Sequence, residues 1–168
     1  MPTLLESDVT LKDGRAVHIR MIRPEDDHRL VEFSRHLSPQ SAYQRFFNAL
    51  PELTPGMARH LSNLESANRL AVIAEAGSEL IGVGRYEPTA DADVVELALV
   101  ILDEWQDRGL GRILLRALLQ AGKDNGINRF RADVMSENRR MLRLLATETS
   151  ISERKTEAGI TSLMLTVP

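Results

Sequence analysis

Two groups of residues in this sequence could do chemistry. The first is Gln106-Asp-Arg-Gly-Leu-Gly-Arg112, set between a strongly apolar stretch and a helical pattern. The start of a helix leaves backbone N–H groups without partners and carries partial positive charge. Gly109 and Gly111 remove side chains that would hold a ligand away from those groups, so a pyrophosphate can settle onto bare backbone. Arg108 and Arg112 add positive charge beside it. A dinucleotide fingerprint would need a further glycine where Leu114 stands, and a P-loop would need Gly-Lys-Ser/Thr. A bare Gly-x-Gly is as readily an ordinary strand-to-helix turn with solvated arginines. Strand, glutamine, two arginines and helix together favour the phosphate.

The second is Glu96, a single carboxylate among Val94, Val95, Leu97 and Ala98. Burial raises the pKa of a carboxyl group toward the range in which it accepts a proton at neutral pH. Strand alternation puts Glu96 on the face of Ala98 and Val100, opposite Val95, Leu97 and Leu99. In the alternative, structural role, Glu96 points outward or pairs with an arginine such as Arg85 across the sheet.

Other chemistries lack their residues. The chain has no cysteine, which removes disulfides, thiolate metal sites and a cysteine nucleophile together. His18, His28, His36 and His60 form no pair at zinc-binding spacing, and there is no Gly-x-Ser-x-Gly elbow. Asp26 and Asp27 read as a helix start, and Asp91 and Asp93 as a solvated loop. Tyr43, Phe46 and Phe47 read as core. A formal charge of −3 and a pI near 5.8 argue against a nucleic-acid binder. No basic region followed by an apolar stretch opens the chain, and apolar runs such as Ala98 to Leu102 are too short to span a bilayer. The expectation is a soluble, cytoplasmic protein with no membrane partner.

The elements that would position these residues follow from periodicity. At 168 residues, 43% hydrophobic and 27% charged, the chain suits one globular domain over 1–168. Val9 to Arg20 reads as a hairpin about Asp13-Gly14. Pro24 opens a helix whose buried stripe is Leu30, Phe33 and Leu37, and Thr54-Pro55 opens a second short one. Ser38 to Leu53 has no clear pattern. Leu70 to Ala74 and Leu80 to Tyr86 are strands joined at Gly77-Ser78, and Val94 to Leu102 is a third. After Gly109-Leu-Gly a long helix buries Leu110, Ile113, Leu114, Ala117, Leu118 and Ala121, and ends at Asn125-Gly126. Phe130 to Val134 is a strand, and Ser136 caps a helix carrying Met141, Leu142, Leu144 and Leu145. Two strands, around Ile151 and from Ile160 to Val167, close the chain through Glu157-Ala-Gly159. The fold class is mixed α/β (α+β), a mostly antiparallel sheet flanked by about four helices.

Gln106-x-x-Gly109-x-Gly111 with its Leu-rich helix resembles the coenzyme A signature of the GNAT superfamily of N-acetyltransferases. The resemblance implies that the amides of Asp107, Arg108, Gly109, Leu110, Gly111 and Arg112 wrap the pyrophosphate of acetyl-coenzyme A. Leu99, Val100 and Ile101 would line its pantetheine arm, and Asn138 and Met141 would contact the cofactor. A bulge in the Val94 strand would turn the N–H of Leu99 or Val100 toward the thioester. Gly14-Arg15, Ile22 to Asp26, Leu37-Ser38-Pro39, Arg45-Phe46-Phe47, Glu96-Leu-Ala and Trp105-Gln106 are similar to the GNAT domain of bacterial protein lysine acetyltransferases. That similarity implies acetyl transfer to a primary amine, with protein lysine as acceptor, Glu96 as general base, no metal, and a homodimer as a further possibility. A small amine or amino acid as acceptor, and a non-catalytic acyl-CoA-binding module, are the alternatives. Many relatives carry a tyrosine acid seven residues after the asparagine, where this chain has Leu145. Either the thiolate leaves unprotonated, or water or another residue donates, Tyr43 and Tyr86 being candidates. Ala146 to Ser150 also departs from the pattern, lacking the usual Gly-Phe.

Overall fold

A computed structural model describes residues 6–46, 53–64 and 68–167. The opening hairpin pairs β1 (Glu6–Thr10) with β2 (Ala16–Met21). Its loop turns at Gly14, whose φ of 89° is costly for any other residue, and the Asp13 carboxylate accepts the Arg15 N–H at 3.0 Å. Val17 and Ile19 are buried on one face, as the alternation requires. A 3-10 turn at Pro24–Asp26 leads into α1 (Asp27–His36), which buries Leu30 and Phe33, with Leu37 packed at the edge of the core. The unpatterned stretch yields α2 (Pro39–Phe46), capped where the Ser38 hydroxyl accepts the Ser41 N–H at 3.1 Å. Phe47 lies outside the described residues, and Tyr43, expected in the core, is 45% exposed. α3 (Pro55–Ser62) starts as expected, Thr54 accepting the Met57 N–H at 3.1 Å.

β3 (Leu70–Ala76), β4 (Glu79–Pro88) and β5 (Val94–Ile101) form an antiparallel meander. α4 (Leu110–Asp124) then crosses back to β6 (Arg129–Met135), which lies parallel to β5. α5 (Arg139–Glu148), β7 (Ser150–Glu157) and β8 (Ile160–Thr166) complete an eight-stranded sheet of order β1-β2-β3-β4-β5-β6-β8-β7. The cap of α5 is Asn138, whose Oδ1 accepts the Met141 N–H at 3.3 Å, rather than Ser136. The strand before it runs on to Met135, and the Ser136 hydroxyl is tied instead to Thr161 at 2.8 Å. The last hairpin turns through Ala158 and Gly159, with φ of 52° and 78°.

α4 covers one face of β3, β4 and β5, while α1 and α2 contact the other. Its buried face is broader than the stripe expected, adding Leu115, Leu119 and Gly122, while Ile113 is only half-buried. Close approach depends on glycine at two points. A Cβ on Gly84 would stand 2.7 Å from Leu99 and 2.9 Å from Leu118, and one on Gly122 would stand 2.5 Å from Phe130. No helix among the described residues is long and apolar enough to cross a membrane.

One buried charge cluster pins the N-terminal elements to the sheet. Asp26 stands at the helix start, as the N-cap of α1, and is buried there, 3% exposed. It takes a bidentate pair of 2.8 Å bonds from Arg20 of β2 and the Arg23 N–H at 2.7 Å. Glu75 of β3 accepts from Arg20 at 3.1 Å and from Arg29 of α1 at 2.9 Å. Desolvation alone would raise the Asp26 pKa, but these bonds and the arginine charges outweigh it and hold it down to about 2. A carboxyl whose pKa falls on folding stabilises the native state above its unfolded pKa and loses that contribution as pH falls toward the folded value. Asp26→Asn should therefore cost about 2 kcal/mol or more near pH 7 and flatten the loss of stability between about pH 5 and pH 2. Urea unfolding across pH measures both; an unchanged slope would place the acid-sensitive group elsewhere.

Candidate active site

The site begins where two strands part. β5 and β6 pair at Val94–Arg129, Val95–Phe130 and Glu96–Arg131, and no further. Beyond that point β5 stays on β4 as far as Ile101–Gly82, while β6 stays on β8 as far as Met135–Ile160. The gap between them is lined by Leu97 to Ile101 on one side and by Asp133, Val134, Asn138, Met141 and Leu144 on the other. Ser41, Gln44 and Arg45 of α2 complete the lining. The sequence reading expected a bulge to free a backbone N–H here, but the β4–β5 register is unbroken from Val95 to Ile101. The departure of β6 does the work instead. Leu102 donates its N–H to Ile81 on β4 at 3.0 Å, so by antiparallel alternation the backbone groups of Leu97, Leu99 and Ile101 face the gap. The Ile101 carbonyl confirms this direction by accepting Gln106 Nε2 at 2.8 Å. Of the two candidates, Leu99 rather than Val100 turns its N–H into the opening.

At one end of the gap lies the turn into α4. Gly109 caps the helix with φ of 91°, and Asp107 before it has φ of 61°. Among the described residues, the N–H groups of 107–112 reach no acceptor, while Ile113 is the first to bond back, to Gly109 at 3.3 Å. The two glycines serve different ends. Gly109 permits the left-handed backbone, whereas Gly111 lets the helix close on its neighbours, a Cβ there standing 3.4 Å from Leu144 and 3.6 Å from Ile101. Leu110 contributes backbone only, its side chain being 1% exposed.

The cations beside the turn differ from those expected. Arg108 turns away to Asp13 at 3.1 Å and to the Glu104 carbonyl at 3.0 Å, and Arg112 pairs with Glu148 at 2.9 Å. Two residues that the sequence reading passed over take their place. Lys12 of the first hairpin loop lies across Gly109, its methylenes 3.4–3.9 Å from where a Cβ would be. Arg140 bridges from α5 to Asp107 at 2.9 Å and to Gln106 Oε1 at 2.6 Å. Gln106 is thereby a junction, since its Nε2 also reaches Ser41 at 3.2 Å. Only contacts far apart in sequence create these placements, so no local signal marks them.

Glu96 stands half-buried at the last β5–β6 pair, on the α2 face of the sheet with Arg85 and Glu87. Arg85 is not its partner: it binds Glu87 at 3.0 Å and the Leu61 carbonyl at 3.3 Å, and Arg69 holds the same Glu87 at 2.6 Å. Glu96 instead feels the charges of Arg45 from α2 and Arg131 from β6. Desolvation and the charge of Arg85 pull the Arg45 pKa down to about 10, opposed by Glu96 and Glu87. Tyr86 cannot act in the gap: it is fully buried, edge-on to Phe130, and its hydroxyl accepts from Asn125 at 3.1 Å. Leu145 is equally buried and outside the lining. Asp91 accepts the Asp93 N–H at 2.9 Å in an exposed turn, as expected. No metal-binding group of His, Asp and Glu occurs among the described residues.

The geometry is matched by comparison with known proteins. A model of the acetyltransferase (GNAT) family matches residues 32–147. An acetyltransferase of Pseudomonas aeruginosa is 31% identical over 136 residues, covering 79% of this chain and 73% of its own. Acetyltransferase Pat of Mycolicibacterium smegmatis is 24% identical over 140 residues, 82% of this chain, which spans only 42% of that relative. The GNAT domain of S. lividans PAT superposes with a TM-score of 0.88 at 30% identity, over 99% of both chains. The yncA protein of Salmonella typhimurium, solved with its cofactor acetyl-CoA, shares the fold at a TM-score of 0.70 and 17% identity, over 89% of this chain and 91% of its own.

The two glycines should separate experimentally. Gly109→Ala forces an L-residue into positive φ and should cost about 1 kcal/mol or more. Gly111→Ala needs only a small retreat of Leu144 and should cost less. Chemical denaturation of both variants checks the order, and the reverse order would contradict the backbone reading of Gly109.

Proposed function

We propose that this chain, which belongs to the GNAT acetyltransferase family, moves an acetyl group from acetyl-coenzyme A to the primary amine of protein lysine, with Glu96 as general base. The observation that carries the cofactor assignment is the run of unpartnered N–H groups at 107–112, opening directly onto the gap between β5 and β6. A row of amides at a helix start suits a pyrophosphate, and a narrow apolar gap suits a thin pantetheine chain. The run 107–112 would hold the pyrophosphate, with Lys12 and Arg140 nearby as cations. Leu99, Val100, Ile101 and Met141 would flank the arm, and Asn138 has its amide nitrogen left to donate while its oxygen caps α5. Residues 1–168 act as one catalytic domain on this reading, supported by a single continuous sheet and core.

Acetyl-coenzyme A supplies an activated thioester, and the chain's task is to orient it and to manage protons. The Leu99 N–H, aimed into the gap, can donate to the thioester oxygen as negative charge develops there. A lysine ammonium, with a pKa near ~10.4, must lose a proton before it can attack. Glu96 lies where the gap begins, on the face opposite α4, so an amine entering from that side meets the carboxylate before the thioester. Tyr86 and Leu145 are buried away from the gap, and Tyr43 is exposed and not among its lining residues, so on this reading the thiolate departs unprotonated or takes its proton from water or another residue. Similarity to the GNAT domain of S. lividans PAT and to acetyltransferase Pat, beside the motif likeness to bacterial protein lysine acetyltransferases, favours lysine over a small amine on this reading.

Calorimetry tests the cofactor site. Gly109→Glu places a carboxylate among the free amides and should abolish acetyl-coenzyme A binding, and wild-type affinity in a folded variant would refute the assignment. Turnover across pH tests the base. Glu96→Gln should lower kcat by roughly 10²–10⁴-fold and remove the rising acidic limb, while acetyl-coenzyme A affinity holds. Full activity with the limb intact would make Glu96 structural.

A further inference from the structure

We propose that Asp133 is the acceptor-binding carboxylate of this cleft, and that Arg131 is a built-in cation which the acceptor's ammonium replaces. The proposal rests on the acetyl-transfer reading above and names what selects its amine. Asp133 lies on β6, two residues past the last β5–β6 pair, and lines the gap opposite Ala98. Residues 131 and 133 share a face of β6, and parallel pairing puts Arg131 on the face of Glu96. That is the α2 face, opposite the helix that carries the phosphate turn. Two carboxylates, one on each parting strand, therefore flank the entrance through which an amine would approach.

A guanidinium is bound to one of them and feels the charge of the other. Arg131 binds Asp133 through Nη2 at 2.8 Å and Nε at 3.3 Å, and its pKa is raised by Asp133 first and by Glu96 as well. It is nonetheless 46% exposed, so moving it into water costs little. Asp133 itself is fixed. Its side chain is 18% exposed, and Ser162 of β8 donates to Oδ1 at 2.7 Å. A carboxylate held by a hydroxyl and paired with a half-exposed cation is a receptor for whichever cation binds better. Of the other cations on this side, Arg85 and Arg69 bind Glu87, Lys155 of β7 pairs with Glu157 at 3.7 Å, Arg129 lies nearer the paired end of β6, and Arg45 of α2 lines the gap and feels the charges of Glu96 and Glu87. An incoming lysine ammonium would exchange with Arg131 at Asp133, then yield its proton to Glu96. Glutamate also carries an ammonium, but its two carboxylates would be repelled by Asp133 and Glu96.

Steady-state kinetics with an N-terminally blocked peptide bearing one lysine, and with glutamate as the anionic alternative, test this. Asp133→Asn, which can keep the Ser162 contact, should raise the peptide KM about 10-fold or more with a much smaller fall in kcat. Asp133→Glu should recover much of that loss, which a purely structural role would not predict. Arg131→Gln should lower the peptide KM several-fold by removing the competitor. An unchanged KM in Asp133→Asn overturns the proposal, as does a raised peptide KM in Arg131→Gln or acetylation of glutamate in preference to the peptide. If the wild-type protein binds no acetyl-coenzyme A, or releases no coenzyme A with any amine, the acetyl-transfer reading fails and this one with it. An active wild type with an indifferent Asp133→Asn removes this proposal alone.

Discussion

Backbone amides and carbonyls must be paired or reach water, and in this protein everything of functional interest follows from where two strands stop pairing. β5 and β6 share three residue pairs and then diverge, each held by its other neighbour. A sheet that split without a ligand-sized opening would strand the edge groups of Leu97, Leu99 and Ile101. Here they line a cleft, and one of them, the Ile101 carbonyl, is already satisfied by Gln106. The divergence is stabilised from both sides. α5 packs on α4 where Gly111 admits Leu144, and β8 draws β6 away through an unbroken antiparallel ladder. Closing the cleft would mean unpairing one ladder to pair another, at no gain in hydrogen bonds.

Charge in this molecule is divided by purpose. The Arg20–Asp26–Glu75–Arg29 cluster, with Arg20 and Asp26 buried and Glu75 and Arg29 mostly covered, is multiply bonded and outside the cleft lining, and it fastens the first hairpin, α1 and the meander together. At the cleft the bonds are as short but the groups are wetter. Arg131 and Arg140 are about half exposed; Arg131 pairs within β6, while Arg140 reaches from α5 to the turn before α4. A dry, saturated cluster resists rearrangement, whereas a half-solvated pair can exchange partners at small cost. That difference separates the ion pairs that hold the fold from those that line the cleft.

Much of this was legible along the chain. Gly14, Gly77 and Gly159 mark turns whose positive φ only the backbone chemistry of glycine tolerates cheaply, and Thr54-Pro55 announces a helix start. Ser38-Pro39 carries the same cap-and-proline signal and opens α2 in the same way, although the aromatic residues that follow obscure its period. The cap of α5 was displaced by two residues because serine and asparagine both cap helices, and only the reach of β6 decides between them.

The sequence by itself determined the element order, the amide-rich turn and the lone carboxylate of β5, because these depend on short-range periodicity and on the backbone freedom of single residues. The tertiary structure decided which charges meet. Arg108 and Arg112, adjacent to the turn, are drawn off to Asp13 and Glu148, while Lys12 and Arg140, distant in sequence, arrive beside it. It also decided that Leu99 faces the gap without any bulge, since that follows from the hydrogen-bonding parity set by Leu102 and Ile81 and from the departure of β6. Long flexible side chains take partners according to distance in space, and strand edges are freed by a neighbour's path. Neither quantity is encoded in a local pattern.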